Sequence, residues 1–265
     1  MIKQKNCITK KIIKKIICIS FLLIISCSNE NSKSSEKLNL EEEGLTISEL
    51  NESELIGKSF TLYNVFADYN INISFYDANN QVFGFAGVNT YRTSYSKNGD
   101  EVKFSGITRT KMSGPKDIMD AENNYVKYLE NTKYMFLKDN DLIITSDSTE
   151  LKFRENIIDT NELNGKKFRL SNMLEGTEIT ISIESGSFVG NSGVNIYNIP
   201  FELKNNEITI GQHGMSTLMA GPEEDMKAED EYMKLLNSAK YISFDNYNLC
   251  IKTADNQILL FDLTE

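Results

Sequence analysis

Tryptophan is absent from the 265 residues, histidine occurs once, proline three times and cysteine four times. So few cysteines exclude a disulfide-dense scaffold, and three prolines with 15 glycines exclude a collagen-like chain. A single histidine leaves no second imidazole for a histidine-rich metal site. A long apolar run is also missing: Ile16 to Ile25 is the most hydrophobic stretch, interrupted at Ser20, and a spanning helix needs about 20 residues. What remains is ordinary for a globular protein, 40% hydrophobic and 25% charged, which excludes a multi-span membrane protein. The length suits one large domain or two small ones.

The first 26 residues carry six lysines (3, 5, 10, 11, 14 and 15) and no acid, followed by the short apolar run. A basic start, a short apolar stretch and then a small residue make a secretory signal. Leu23-Ile24-Ile25-Ser26-Cys27 resembles a bacterial lipobox, which implies cleavage before Cys27 and transfer of diacylglycerol to its thiol. A plain secretory signal with an incidental cysteine is the competing reading. Position, the flanking Ser26 and the polar tail after it favour lipidation of Cys27. One acyl chain binds a bilayer only marginally; the several acyl chains of a mature lipoprotein give a stable anchor. The expected location is therefore the bacterial cell envelope, on the outer membrane or the cell membrane.

Without the signal the chain keeps 22 basic and 38 acidic residues, a net charge of about −16. That charge excludes nucleic acid as a partner and keeps the body off anionic headgroups. Of the cysteines, 7 and 18 leave with the signal and Cys27 is acylated, so Cys250 stands alone and an intramolecular disulfide is excluded. Residues 27–50 comprise the lipidated cysteine and a Ser-, Asn- and Glu-rich tether that cannot bury a core.

The rest is an internal repeat. Ile56-Gly57-Lys58-Ser59-Phe60 matches Asn164-Gly165-Lys166-Lys167-Phe168, and Gly87-Val88-Asn89-Thr90-Tyr91 matches Gly193-Val194-Asn195-Ile196-Tyr197. Met112-Ser113-Gly114-Pro115 matches Met219-Ala220-Gly221-Pro222, and Phe153 matches Phe261. An offset of 106 to 108 residues marks a duplicated domain, since solenoid repeats run about 20–50 residues. The expected domains are 51–157 and 160–265, with the boundary near 156–159.

Each copy reads mainly as strand. Ile71, Ile73 and Phe75 alternate with polar residues, as do Ile179, Ile181 and Ile183. Asp77-Ala78-Asn79-Asn80 and Ala254-Asp255-Asn256 carry hairpin-turn chemistry. One helix interrupts each copy. Pro115 to Asn131 gathers Ile118, Tyr125 and Leu129 on one face, and Pro222 to Asn237 gathers Met226, Tyr232 and Leu236. In each, proline occupies the first helical position and acids the first turn. The fold class is mainly β with one helix per repeat (α+β): two tandem domains, each an antiparallel, strongly curved sheet or partial barrel with a helix packed on it.

Few groups could carry chemistry. His213 lies in a loop-like Gly211-Gln212-His213-Gly214, with no counterpart in the first copy and no second ligand. No phosphate loop or nucleophile elbow is present. Asp139-Asn140-Asp141 lacks the glycine and distal glutamate of a calcium loop. Glu223-Glu224-Asp225 and Glu229-Asp230-Glu231 read as a solvated helix face. Accordingly no catalytic residue, metal or cofactor is assigned. The motif residues Gly87, Asn89, Tyr91, Gly193, Asn195 and Tyr197 are the candidate structural or binding site. Asn89 and Asn195 either form a ligand-binding bend or are buried to satisfy backbone groups of a bulged strand. The second reading is favoured, because buried polar groups are usually there to be satisfied.

At these motifs both copies, over residues 55–154 and 163–263, resemble the META domain (HslJ-like) family. The family pattern has Gly-Cys-Asn-x-Tyr in mid-domain and Thr-x-Met-Ala-Cys-Pro before a helix. The two family cysteines are replaced together, by Val88 with Gly114 and by Val194 with Gly221. Paired loss implies that these positions touch, with the valine methyls filling the space of the sulfurs. Together with the anchor, the acidic body, the duplication and the lack of catalytic groups, this points to a non-enzymatic, lipid-anchored envelope protein in envelope maintenance, stress tolerance or binding of an envelope protein or ligand. A surface-exposed adhesin or antigen is the alternative, and a carboxylate-dependent hydrolase a more remote one.

Overall fold

Alternating strands with one apolar face close most economically on themselves, because closure removes the unpaired edges. The computed structural model describes residues 50–76, 79–146 and 149–264. Cys27, the signal and the tether up to residue 49, as well as Asp77 and Ala78 of the first hairpin turn, lie outside these; Leu50, expected to end the tether, is instead buried in the first core. Among the described residues no helix is long and apolar enough to cross a membrane.

The first domain is a closed antiparallel barrel of eight strands in sequence order. These are β1 (Ser59–Leu62), β2 (Asn72–Ser74), β3 (Gln81–Phe85), β4 (Thr90–Asn98), β5 (Glu101–Arg109), β6 (Thr132–Lys138), β7 (Asp141–Ser146) and β8 (Glu150–Glu155). β1 closes on β8 with Phe60 opposite Glu155 and Leu62 opposite Phe153. The helix α1 (Lys116–Glu130) is inserted between β5 and β6.

The second domain repeats the plan. Its strands are β9 (Phe168–Leu170), β10 (Thr180–Glu184), β11 (Ser187–Asn191), β12 (Ile196–Lys204), β13 (Glu207–Ile210), β14 (Met215–Ser216), β15 (Ala239–Phe244), β16 (Asn248–Thr253) and β17 (Ile258–Leu263). β11 pairs with both β10 and β12, and β17 pairs with β9, so this sheet also closes. β13 and β14 together occupy the place of β5, and α2 (Glu223–Asn237) follows them. The sheets are thus closed where the repeat pattern alone suggests a curved or partial barrel.

Each barrel has its own core. Phe60, Ile71, Ile73, Tyr91, Tyr125, Leu129 and Phe153 pack in the first, and Phe168, Ile179, Ile181, Tyr197, Tyr232, Leu236 and Phe261 in the second. β5 meets β6 at the single rung Glu101–Tyr134, and β13 meets β15 only at Glu207–Tyr241. The helices that intervene in sequence pack into the cores with buried Tyr125 and Leu129, or Tyr232 and Leu236. Pro115 and Pro222 precede the first helical turn instead of occupying it, because their ψ of 142° and 145° is extended.

Both barrels fall within one compact unit, Ile47–Glu265. They meet along a buried seam. Ile71, Ile73 and Phe75 face the first core, while the alternate residues Asn72, Ser74 and Tyr76 are buried against the second domain. There Tyr76 packs with Cys250 and Ile258. Ser74 donates to Asp245 Oδ2 (3.2 Å), and Ser243 donates to the carbonyl of Gly57 (2.6 Å). Gly57 has φ +84°, and a Cβ there would stand 3.0 Å from Cβ of Lys252, so only glycine allows this approach. Cys250 is buried as a small hydrophobe, and burial pushes its thiol pKa far up.

Candidate functional site

The Gly-x-Asn-x-Tyr segment begins each long central strand, β4 or β12. Gly87 and Gly193 both have φ +122°, a conformation closed to other residues, and they turn the chain so that the asparagine side chain points inward. Asn89 and Asn195 are buried and use both ends of the amide. Asn89 Oδ1 accepts from the backbone of Met112 (2.7 Å) and from Thr110 Oγ1 (2.9 Å), while its Nδ2 donates to the Met112 carbonyl (3.2 Å). Asn195 repeats this with Met219 N (2.7 Å), Thr217 Oγ1 (2.8 Å) and the Met219 carbonyl (3.3 Å). The two sequence motifs of each copy are thus the two halves of one hydrogen-bonded clasp.

A glutamate from the helix completes it. Glu122 Oε2 accepts from the backbone of Val88 (3.2 Å) and Asn89 (2.8 Å), and its Oε1 accepts from Asn89 Nδ2 (2.9 Å). Glu229 makes the same three bonds to Val194 (3.1 Å), Asn195 (2.7 Å) and Asn195 Nδ2 (2.7 Å). Both carboxylates are buried, so each needs its donors. The second copy adds the Ser192 hydroxyl (2.6 Å); the first adds Arg109 Nη1, 3.0 Å from Glu122. Burial raises the Glu229 pKa, but the bonds from Ser192, Asn195 and Val194 outweigh it and hold the carboxyl below its ordinary value.

Glu229 therefore corrects the expectation of a solvated acidic face over 229–231: the helix turns it inward, three residues before buried Tyr232. Glu122 escapes a reading of apolar residues alone, although it shares a face with Ile118 and Tyr125. Its signature was an acid on the apolar face at the same place in both copies.

The motif tyrosines lock the helix on the other side. Tyr91 Oη donates to the Asn72 carbonyl (3.0 Å) and lies 2.7 Å from Tyr125 Oη, so Tyr125 is the donor in that contact. Tyr197 does the same with the Thr180 carbonyl (3.0 Å) and Tyr232 (2.7 Å). Burial drives Tyr91 and Tyr197 well above the ordinary tyrosine pKa, so they stay neutral hydrogen-bonding groups. Gly84 makes room: a Cβ there would lie 2.6 Å from the Tyr91 ring and 2.3 Å from the Asn72 oxygen.

The positions of the family cysteines touch. A Cβ built on Gly114 lies 3.4 Å from Cβ of Val88, and one on Gly221 lies 3.4 Å from Cβ of Val194. Valine methyls reach to 2.5 and 2.6 Å of those points and fill the space. His213 is exposed in its loop. Among the described residues no group of three His, Cys, Asp or Glu is placed to hold a metal. With their donors and acceptors consumed internally, the six motif residues build a clasp.

A second feature lies between the domains. A cleft of about 440 Å³ is walled on one side by Phe83, Thr90, Arg92, Thr108 and Arg109, and on the other by the turn Asp245–Asn248.

No curated protein matches the chain. Among solved structures it is similar to a protein from Burkholderia xenovorans determined by NMR, with 16% identity over 41% of this chain and 90% of that one, and a TM-score of 0.34. It is also similar to a DUF4847 family protein from Bacteroides vulgatus, with 16% identity over 41% of this chain and 99% of that one, and a TM-score of 0.30. The model of the META domain matches twice in tandem, over residues 39–156 and 159–265, and each match holds one clasp, one tyrosine pair and one helix: the chain belongs to the META domain family and carries two copies of its domain.

Proposed function

We propose that this protein is a lipid-anchored component of the bacterial envelope that works by binding and not by catalysis. Its Cys27 is acylated, the tether of residues 28–49 leads from the bilayer, and the two META domains serve envelope maintenance or stress tolerance by engaging an envelope protein. The lipobox-like Leu23–Cys27 carries the anchoring. The binding role is supported by the second domain, where Ile196, Met215, Leu218 and Met219 cluster in and beside the segment that Asn195 clamps. Leu218 is fully exposed and Met215 is 70% exposed. Exposed apolar side chains gathered on one face mark interaction surfaces. The non-enzymatic reading is supported by the buried carboxylates Glu122 and Glu229, whose oxygens are held by backbone and side-chain donors.

Metabolic labelling with an alkyne fatty acid tests the anchor. The wild-type chain takes up label and fractionates with membranes, and Cys27→Ala abolishes both labelling and cleavage of the precursor. Label persisting on Cys27→Ala refutes the assignment. Photo-crosslinking from position 218 in intact cells tests the binding surface: a discrete adduct is expected, and it is lost with Met215→Ser.

A further inference from the structure

The duplication puts the same face in the molecule twice with different chemistry. At the start of β4 and the end of β5, the first domain presents Thr90, Arg92, Thr108, Arg109 and Lys111. At offsets of 106 and 107 the second presents Ile196, Asn198, Met215, Ser216 and Leu218. Arg92 and Arg109 are two of the chain's four arginines, and neither position is basic in the second domain. The turn Asp245–Asn248 of the second domain overhangs the first-domain face and makes it the wall of the 440 Å³ cleft.

We propose that this cleft binds a small organic anion, whose carboxylate or phosphate oxygens are held by Arg92 and the Thr90 hydroxyl and whose carbon skeleton rests on the ring of Tyr247. Arg92 has no carboxylate partner among the described residues. Its Nε and Nη2 donate to Gln81 Oε1, and its guanidinium lies over the Phe83 ring at 5.0 Å. It is therefore held in place with three N–H groups left over. Arg109 is engaged elsewhere, its Nη1 donating to Glu122 and Asn123. Arg92 pairs with Thr108, whereas Arg109 pairs with the buried Tyr91 one rung on, so Thr90, Arg92 and Thr108 share one face of the β4–β5 ladder and Arg109 takes the other. The Thr90 hydroxyl beside Arg92 has no partner among the described residues. Tyr247 is 48% exposed and is seated against Phe85 with ring centroids 6.1 Å apart.

Two carboxylates stand nearby, and both are engaged. Asp245 accepts from Ser74 (3.2 Å) and from the backbone of Tyr247 (3.0 Å) and Asn248 (2.7 Å). Glu122 is held in its clasp. The free donors of Arg92 therefore line the cleft in a protein whose overall charge is −10. A fixed guanidinium beside an unpartnered hydroxyl matches the oxygens of a carboxylate or phosphate, and the cleft volume suits a small molecule. The site requires both domains and is independent of the anchor.

Amide-resolved NMR of the full chain in detergent, titrated at low salt with benzoate and separately with phenyl phosphate, tests this. One or both probes should shift the amides of Thr90, Arg92, Thr108 and Asn248 saturably. The probe that binds tells whether the natural group is a carboxylate or a phosphate. Arg92→Gln, on an exposed residue, should weaken binding about tenfold. Tyr247→Ala should weaken it too, and Arg169→Gln, an exposed arginine on β9, should leave it unchanged. Absence of saturable shifts with both probes, undiminished binding in Arg92→Gln, or an equal loss in Arg169→Gln overturns the proposal.

Discussion

The two domains share a topology and a clasp, yet one is covered where the other is open. β2 is buried on both faces, because Asn72, Ser74 and Tyr76 pack against the second domain. The corresponding Thr180, Ser182 and Glu184 of β10 are half-buried or exposed. The clasps differ in one partner: Arg109 balances Glu122, whereas the Ser192 hydroxyl serves Glu229. Duplication kept the parts that hold a barrel and its helix together and released the surface to diverge. What a domain needs in order to fold is separable from what its face is for.

Removing the glutamates tests the shared part hardest. Glu122→Ala should cost about 4 kcal/mol, because it breaks a buried pair and strands three donors. Glu229→Ala should cost about 3 kcal/mol, with no cation left behind. Urea denaturation measures both, and a loss below about 1 kcal/mol in either would mean that the clasp does not hold its helix.

The seam comes next. Tyr76→Ala should cost about 3 kcal/mol, and Glu184→Ala, at the corresponding open position, less than about 0.5 kcal/mol. The buried Tyr76 hydroxyl meets no hydrogen-bond partner among the described residues, so Tyr76→Phe should be neutral or stabilising by up to about 1 kcal/mol. Equal costs for Tyr76→Ala and Glu184→Ala would erase the difference between covered and open strands.

A third comparison restores the lost cysteines. Val88→Cys with Gly114→Cys, and Val194→Cys with Gly221→Cys, should each oxidise to a crosslink, since the Cβ positions are 3.4 Å apart. The gain should be about 2 kcal/mol in each copy, from loop closure less the lost valine methyls. Thiol titration and melting with and without reductant check it; a pair that stays reduced would place the two motifs farther apart.

Acid should separate the copies by the least. The folded pKa of Glu229 is below its ordinary 4.5, so its contribution is complete above that value and is lost as pH falls through the lower folded one. Asp245 is opposite: burial raises its pKa above 3.8, against the bonds from Asn248 and Tyr247, so its contribution is greatest in acid and is lost as pH rises through the folded value. Glu229→Gln should flatten the acid limb of the second domain's stability, and Asp245→Asn should steepen that of the whole chain. Unchanged pH profiles in both variants would contradict these assignments.

The duplication, the β-rich character and the position of each helix were legible in the sequence, because each left a mark that recurs at an offset of 106 to 108 residues; the contact between Val88 and Gly114 followed from the family resemblance, whose two cysteines are replaced together. Core strands show as alternation, and a helix after proline shows as an apolar face. Glu229 was misread because an acid beside Asp230 and Glu231 looks solvated in a linear chain; only the helical turn and the neighbouring backbone amides make it an inward-pointing ligand.

Composition and pattern by themselves determined that this chain is two copies of a β-rich domain with a helix at a fixed place, since local periodicity and repeated motifs are properties of the chain alone. Only the tertiary structure decided that each sheet closes, that the helix glutamates clamp the asparagine bends, and that the first domain's Arg92 and Arg109 share a cleft with a turn some 140 residues later. These depend on which buried groups satisfy one another across long separations, and no residue's neighbours in sequence carry that information.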